Sequence, residues 1–141
     1  MSKKLHGLIT AAILATASAT AMGAWAGDDR GDAERSLNLV INGRVAGQPV
    51  SCINPGRIRS IEVIARTAII YRMSNGQIYV NRPTQGIQNM DGEGVINIGD
   101  TPGPLCANQF VTFYDQGGKS MRGVTASVAM GPFVPYAVAQ R

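Results

Sequence analysis

Residues 58–82 (IRSIEVIARTAIIYRMSNGQIYVNR) constrain the fold more than any other stretch. Asn75-Gly76 sits between two β-rich runs, and Asn-Gly suits the two positive-φ positions of a type I′ turn. A two-residue loop there predicts that Met73 faces Ile78 and that Tyr71 faces Val80. Side chains alternate across a sheet, so Ile69, Tyr71, Met73, Ile78 and Val80 are expected on one apolar face. Arg72, Tyr79 and Asn81 then share the opposite, mostly polar face with Ile70, Ser74 and Gln77. Upstream, Ala65-Arg66-Thr67 is the expected loop of another hairpin. Three loop residues put Val63 opposite Ile69 and Ile61 opposite Tyr71, on the same apolar face. A two-residue loop would turn both the wrong way.

The N-terminus has the pattern of a secretory signal peptide. Lys3 and Lys4 give it positive charge, residues 8–21 are apolar, and Ala24-Trp25-Ala26 is an Ala-x-Ala site with cleavage expected between Ala26 and Gly27. The apolar run is short and diluted by Thr10, Thr16, Ser18 and Thr20, which argues against a membrane anchor. The expected destination is periplasmic or secreted, with no stable membrane insertion once the signal is removed. Lys3 and Lys4 leave with it, so the net charge falls from +4 to +2. So small an excess gives little reason to expect nucleic acid as a partner. Cys52 and Cys106 are the only cysteines, and an even pair in an exported chain predicts one disulfide.

The remainder is punctuated by turns. Residues 27–35 (GDDRGDAER) are expected as a flexible charged leader. Residues 36–42 (SLNLVIN) alternate Leu37, Leu39 and Ile41 with Asn38, Val40 and Asn42, the pattern of a strand. No helical stripe of useful length is visible beyond the signal. Asn54-Pro55-Gly56 is a turn, and residues 83–94 form an aperiodic loop with Gly86, Gly92 and Gly94. Strands are expected at 95–98, at 109–114 with Val111 and Phe113 on one side, and within 121–130. Residues 130–136 (MGPFVPY) hold Pro132 and Pro135 and are expected to cover an edge rather than to enter a sheet. The predicted fold class is all-β: a small antiparallel sandwich or barrel of six to seven short strands, one domain spanning 36–141.

Little catalytic chemistry is available. His6 is the only histidine and lies in the signal, so His-based acid–base and nucleophile pairs are excluded from the remainder. Gly117-Gly118-Lys119-Ser120 resembles the end of a phosphate-binding loop, but Phe113 stands where that motif needs Gly, so a turn is expected. Asp91, Glu93 and Asp100 lie near glycines without EF-hand spacing. A two-carboxylate hydrolase drawing on Glu62, Asp91, Glu93, Asp100 and Asp115 is the enzymatic alternative. The favoured reading is a non-catalytic exported domain, with no cofactor or metal, that binds or scaffolds an envelope protein or anionic ligand. Its expected contact residues are Arg59, Arg72, Tyr79 and Asn81, because Arg and Tyr are enriched at contact surfaces. A second alternative is a periplasmic hydrolase inhibitor that uses the 83–94 loop.

Several motifs resemble a family of small exported bacterial proteins known only as a domain of unknown function. They are Cys52, Ile58-Arg59-Ser60, Val63-Ile64, the Gly-x-x-Tyr-x-Asn step formed by Gly76, Tyr79 and Asn81, and Leu105-Cys106. The family usually carries another Cys after the Asn step, and residues 86–90 (GIQNM) have none. The resemblance implies export and a compact domain, and no activity.

Overall fold

The computed structural model describes residues 29–90, 94–98, 102–115 and 124–140. The expected signal peptide, the cleavage site between Ala26 and Gly27, the carboxylates Asp91, Glu93 and Asp100, and the turn at 117–120 lie outside these residues.

The described chain begins with a helix, α1 (Asp29–Ile41), where a flexible leader and a strand were expected. Its apolar residues Ala33, Leu37, Val40 and Ile41 recur at i, i+4, i+7 and i+8, the stripe of an amphipathic helix. Leu37 is buried, whereas Leu39, the middle member of the apparent alternation, is 76% exposed. Asp29 and Asp32 in the first turn suit the positive end of the helix dipole. Asp32 also pairs with Arg35 on the exposed side. Gly43 stops the helix by taking a φ of +73°, a left-handed conformation that favours glycine just past a helix end.

Ten short strands follow among the described residues, more than the six or seven expected, in three antiparallel sheets. The largest contains β1 (Arg44–Ala46), β3 (Ile58–Ile64), β4 (Ala68–Met73), β5 (Ile78–Asn81) and β10 (Phe133–Val138), in the order β1-β10-β5-β4-β3. A three-stranded sheet has the order β6 (Gly94–Asn97), β8 (Phe110–Asp115), β9 (Val124–Ala129). A small ribbon pairs β2 (Cys52–Ile53) with β7 (Leu105–Cys106). None of these sheets closes into a barrel.

Two apolar clusters hold the layers together. One joins Ile69, Tyr71, Met73 and Phe133 of the large sheet to Ile96, Val111, Phe113 and Val128 of the smaller one, with Ile53 and Leu105 of the ribbon. Tyr71 and Phe133 meet edge to face there, with ring centres 5.7 Å apart. Burial pushes the Tyr71 phenol above its ordinary pKa. The other cluster lies on the opposite face of the large sheet, where Leu37 of α1 packs on Ile64, Ala68, Ile70, Ile78 and Val80. The centre of the large sheet, at β4 and β5, is therefore buried on both faces. Residues 68–71 are buried without a break, and this erases the alternation by which a half-exposed strand is recognised.

The β3–β4 hairpin has the expected register. Its three-residue loop sets Ile64 opposite Ala68, Val63 opposite Ile69 and Ile61 opposite Tyr71. Arg66 supplies the left-handed turn with a φ of +50°, so no glycine is needed. The β4–β5 hairpin differs by one residue. Tyr71 faces Tyr79, and Ile70 faces Val80. The loop is Ser74-Asn75-Gly76, closed by Met73 N–H donating to Gln77 O at 2.8 Å. Only Gly76 takes a positive φ, +84°, while the Asn75 side-chain oxygen accepts from Gln77 N–H at 3.0 Å. Ile78 and Val80 consequently face α1, and Tyr79 and Asn81 join Tyr71 on the other face.

β10 also departs from expectation, since it runs inside the large sheet between β1 and β5. Pro135 is tolerated because its missing donor falls where β1 has ended. Its carbonyl accepts from Gly47 N–H at 2.8 Å, one residue beyond β1. Residues 83–90 form no free loop. Thr84 N–H donates to Ala129 O at 2.9 Å, Ala129 N–H donates to Gln85 O at 3.1 Å, and Met90 is fully buried.

Candidate binding surface

The one-residue difference in register separates the four residues expected to form one contact surface. Arg59 is exposed at the bulge between Ile58 and Ser60. Arg72 lies on the face that α1 covers further along, and its guanidinium donates to Glu62 at 2.8 Å. Tyr79 is half-buried on the other face, against the core. Asn81 is fully buried.

Asn81 has a structural task. Its side-chain NH₂ donates to Gly131 O at 2.6 Å, and its oxygen accepts from Gly131 N–H at 3.1 Å. This fastens the passage between β9 and β10 to the end of β5. Asn81→Ala should lower stability by about 2–3 kcal/mol, because two buried backbone groups lose their partners. Urea denaturation followed by circular dichroism measures this, and a loss below about 0.5 kcal/mol would show that water replaces the amide.

The arginines around the hairpins divide in the same way. Arg82 forms a two-pronged pair with Glu34 of α1, at 2.7 and 2.9 Å. The hydrogen bond from Arg82 holds the Glu34 carboxyl below its ordinary pKa. The stabilisation that follows is in place above the usual glutamate range and fades as pH falls through the lowered value. Both side chains are about half exposed, so the effect is small. Arg44 donates to Gly76 O at 3.1 Å and so braces the hairpin tip. Arg57, Arg59 and Arg66 have no carboxylate partner among the described residues.

Arg57 opens onto a hollow of about 220 Å³ at the hairpin end, lined also by Cys52, Asn54, Met73, Asn75, Gln77 and Tyr79. Local geometry orients its polar groups. Asn54 caps a short 3-10 helix (Pro55–Arg57), with its side-chain oxygen accepting from Gly56 N–H at 2.9 Å. Asn75 uses its oxygen for Gln77 N–H. Both amide oxygens are thus engaged, and each leaves a side-chain NH₂ to donate elsewhere. Among the described residues no carboxylate lines the hollow, and Arg57 is its sole formal charge. The signal for this site was already present in Asn54-Pro55-Gly56-Arg57 and Ser74-Asn75-Gly76-Gln77, two turns that sequence alone treats as connectors.

Beside the hollow, Cys52 and Cys106 form the expected disulfide, across the paired strands β2 and β7. Cys52 is exposed, and a shallower depression beyond it is lined by Asn54, Pro55, Ile98 and Pro104. Among the described residues no group of three His, Cys, Asp or Glu side chains stands close enough to hold a metal ion. No helix among them is long and apolar enough to cross a membrane. Glu62 is held by Arg72, and the other four carboxylates considered for hydrolysis have side chains outside the described residues. No protein-family model, curated protein or solved structure matches the chain, so its own residues and their geometry carry the functional reading.

Proposed function

We propose that the chain is an exported, non-catalytic binding domain, periplasmic or secreted, with its two larger sheets packed as a sandwich beneath α1. The hollow at the hairpin end takes an anionic or acceptor-rich group of an envelope partner. The observation that carries this reading is the composition of the hollow: the Arg57 guanidinium, two turn-locked asparagine NH₂ groups, Gln77 and the Tyr79 hydroxyl, with no carboxylate among them. Charge-assisted hydrogen bonds from such a set are strongest toward carboxylate, phosphate or sulfate. Arg59 stands two residues along and extends the positive edge, whereas Arg72 is neutralised by Glu62. The disulfide and the motif resemblance support the exported part of the reading.

Titration with acetate, inorganic phosphate and a sulfated disaccharide, followed by backbone amide shifts, tests it. The largest shifts are expected at residues 54–57 and 75–79 for at least one anion. Arg57→Glu should weaken that binding by about a hundredfold or more, since the cation lining the hollow is replaced by a like charge that repels the anion. Shifts spread over other surfaces, or binding unchanged in Arg57→Glu, would remove the hollow from consideration.

A further inference from the structure

We propose that the groove between α1 and β3 accepts an extended peptide of a partner protein, which adds to the large sheet as a strand beside β3. β3 ends that sheet, with no strand beyond it among the described residues. In an antiparallel pair, alternate residues turn both N–H and C=O away from the partner strand. Among the described residues, neither Ile61 nor Val63 bonds through its backbone to any segment outside the β3–β4 pair. An outward row of donors and acceptors at strand spacing is complementary to another extended backbone.

The groove, about 580 Å³, meets that row at Val63, beside the β3–β4 turn. Glu62, Val63 and Ile64, the last three residues of β3, line it consecutively, followed by Ala65 and Arg66 of the turn. Side chains of a strand alternate, so consecutive residues line one hollow only where it follows the backbone edge. The facing wall is one side of α1, with Asp29, Asp32, Ala33 and Ser36 at i, i+3, i+4 and i+7. An edge strand flanked by a helix confines a peptide to one direction of approach.

Charge defines the occupant further. Asp32 and Glu62 line the groove but are paired with Arg35 and Arg72, which do not. Asp29 and Arg30 on the helix wall and Arg66 on the turn wall line it with no ion pair among the described residues. The peptide that fits carries a basic side chain for Asp29, acidic ones for Arg30 and Arg66, and small apolar side chains over Ala33 and Ile64.

Selection of displayed random peptides of about seven residues against the full chain, followed by synthesis of those recovered, is the test. Methylating alternate peptide amides should weaken binding by about tenfold each, because each removes one backbone hydrogen bond, while methylating the intervening amides should change it less than about twofold. Asp29→Lys should abolish the preference for the basic residue, and Arg66→Glu that for the acidic one at the turn wall. Arg57→Glu should leave peptide binding intact, which separates this groove from the anion hollow. Recovery of no peptide with this alternation, or of peptides lost with Arg57→Glu, overturns the proposal. So does a dimer, seen in sedimentation, that Val63→Pro disrupts, because the occupant would then be a second copy of the chain.

Discussion

Gly131→Ala is expected to lower stability by at least about 3 kcal/mol, a large share of what holds a domain of this size together. A β-carbon at Gly131 would stand 2.2 Å from the Arg82 carbonyl oxygen and 3.3 Å from its carbonyl carbon. Both atoms belong to the backbone, so no side chain can swing aside. Gly131 is buried, and its own N–H and C=O are taken by Asn81. It lies between β9, in the three-stranded sheet, and β10, in the five-stranded one, where the chain passes from one layer to the other. Relief of the clash requires β5 and this passage to separate, which breaks the Asn81 bonds and loosens the adjacent Phe133. Equilibrium denaturation in urea reads the effect. Gly103→Ala serves as the comparison: nothing lies within 4 Å of its β-carbon, and only its φ of +92° opposes the change, at about 1 kcal/mol. A Gly131→Ala midpoint no lower than that of Gly103→Ala would show that the layers part easily.

Replacing both Cys52 and Cys106 with Ser should cost up to about 4 kcal/mol in the chain-entropy account, since the bond closes a loop with a sequence separation of 54. The local structure offers little in compensation. β2 and β7 have two residues each and share two residue pairs, Cys52 with Cys106 and Ile53 with Leu105. Ile53 and Leu105 are buried in the core between the sheets, so the covalent bond holds two core side chains that their strands alone hold weakly. Denaturation with and without reductant should show the same shift for the wild type under reducing conditions as for the double variant. The anion hollow shares Cys52 and Asn54 with this ribbon, so its affinity should fall along with stability. A shift below about 1 kcal/mol would mean that the reduced chain already keeps β2 against β7.

Legibility in the sequence followed burial. The β3–β4 register could be read because only a three-residue loop gathers Ile61 and Val63 with Ile69 and Tyr71. In β8, Val111 and Phe113 are buried while Phe110 is 64% exposed, so a half-buried strand announces itself. The β4–β5 register could not be read in the same way. Asn-Gly fits a two-residue loop with both φ values positive, and it equally fits a three-residue loop in which only Gly76 turns left-handed. Side-chain character normally decides between them, but Ile70, Ile78 and Val80 are as buried under α1 as Ile69 and Tyr71 are on the far face. The helix was hidden by the same circumstance. Leu37, Leu39 and Ile41 suggest alternation, and Ala33 is too small to advertise the stripe. Once the helix is unseen, the face it covers has to look polar, and Arg72, Tyr79 and Asn81 fall together on it. The disulfide was legible because it needed only a count of two and the expectation of export. The donor-lined hollow was not, because it forms where two turns distant in sequence meet around the 3-10 helix, where Ser74 N–H reaches Arg57 O at 2.9 Å.

In the large sheet, β1 and β10 are adjacent, although nearly the whole described chain separates them. A polypeptide extended only through β9 would have β1 and β5 with a gap between them, and the site for β10 stays vacant until residues 133–138 are added. The five-stranded order is therefore complete only once β10 is present, and a chain clipped ahead of Phe133 should persist as an open, protease-sensitive coil instead of a smaller version of the fold.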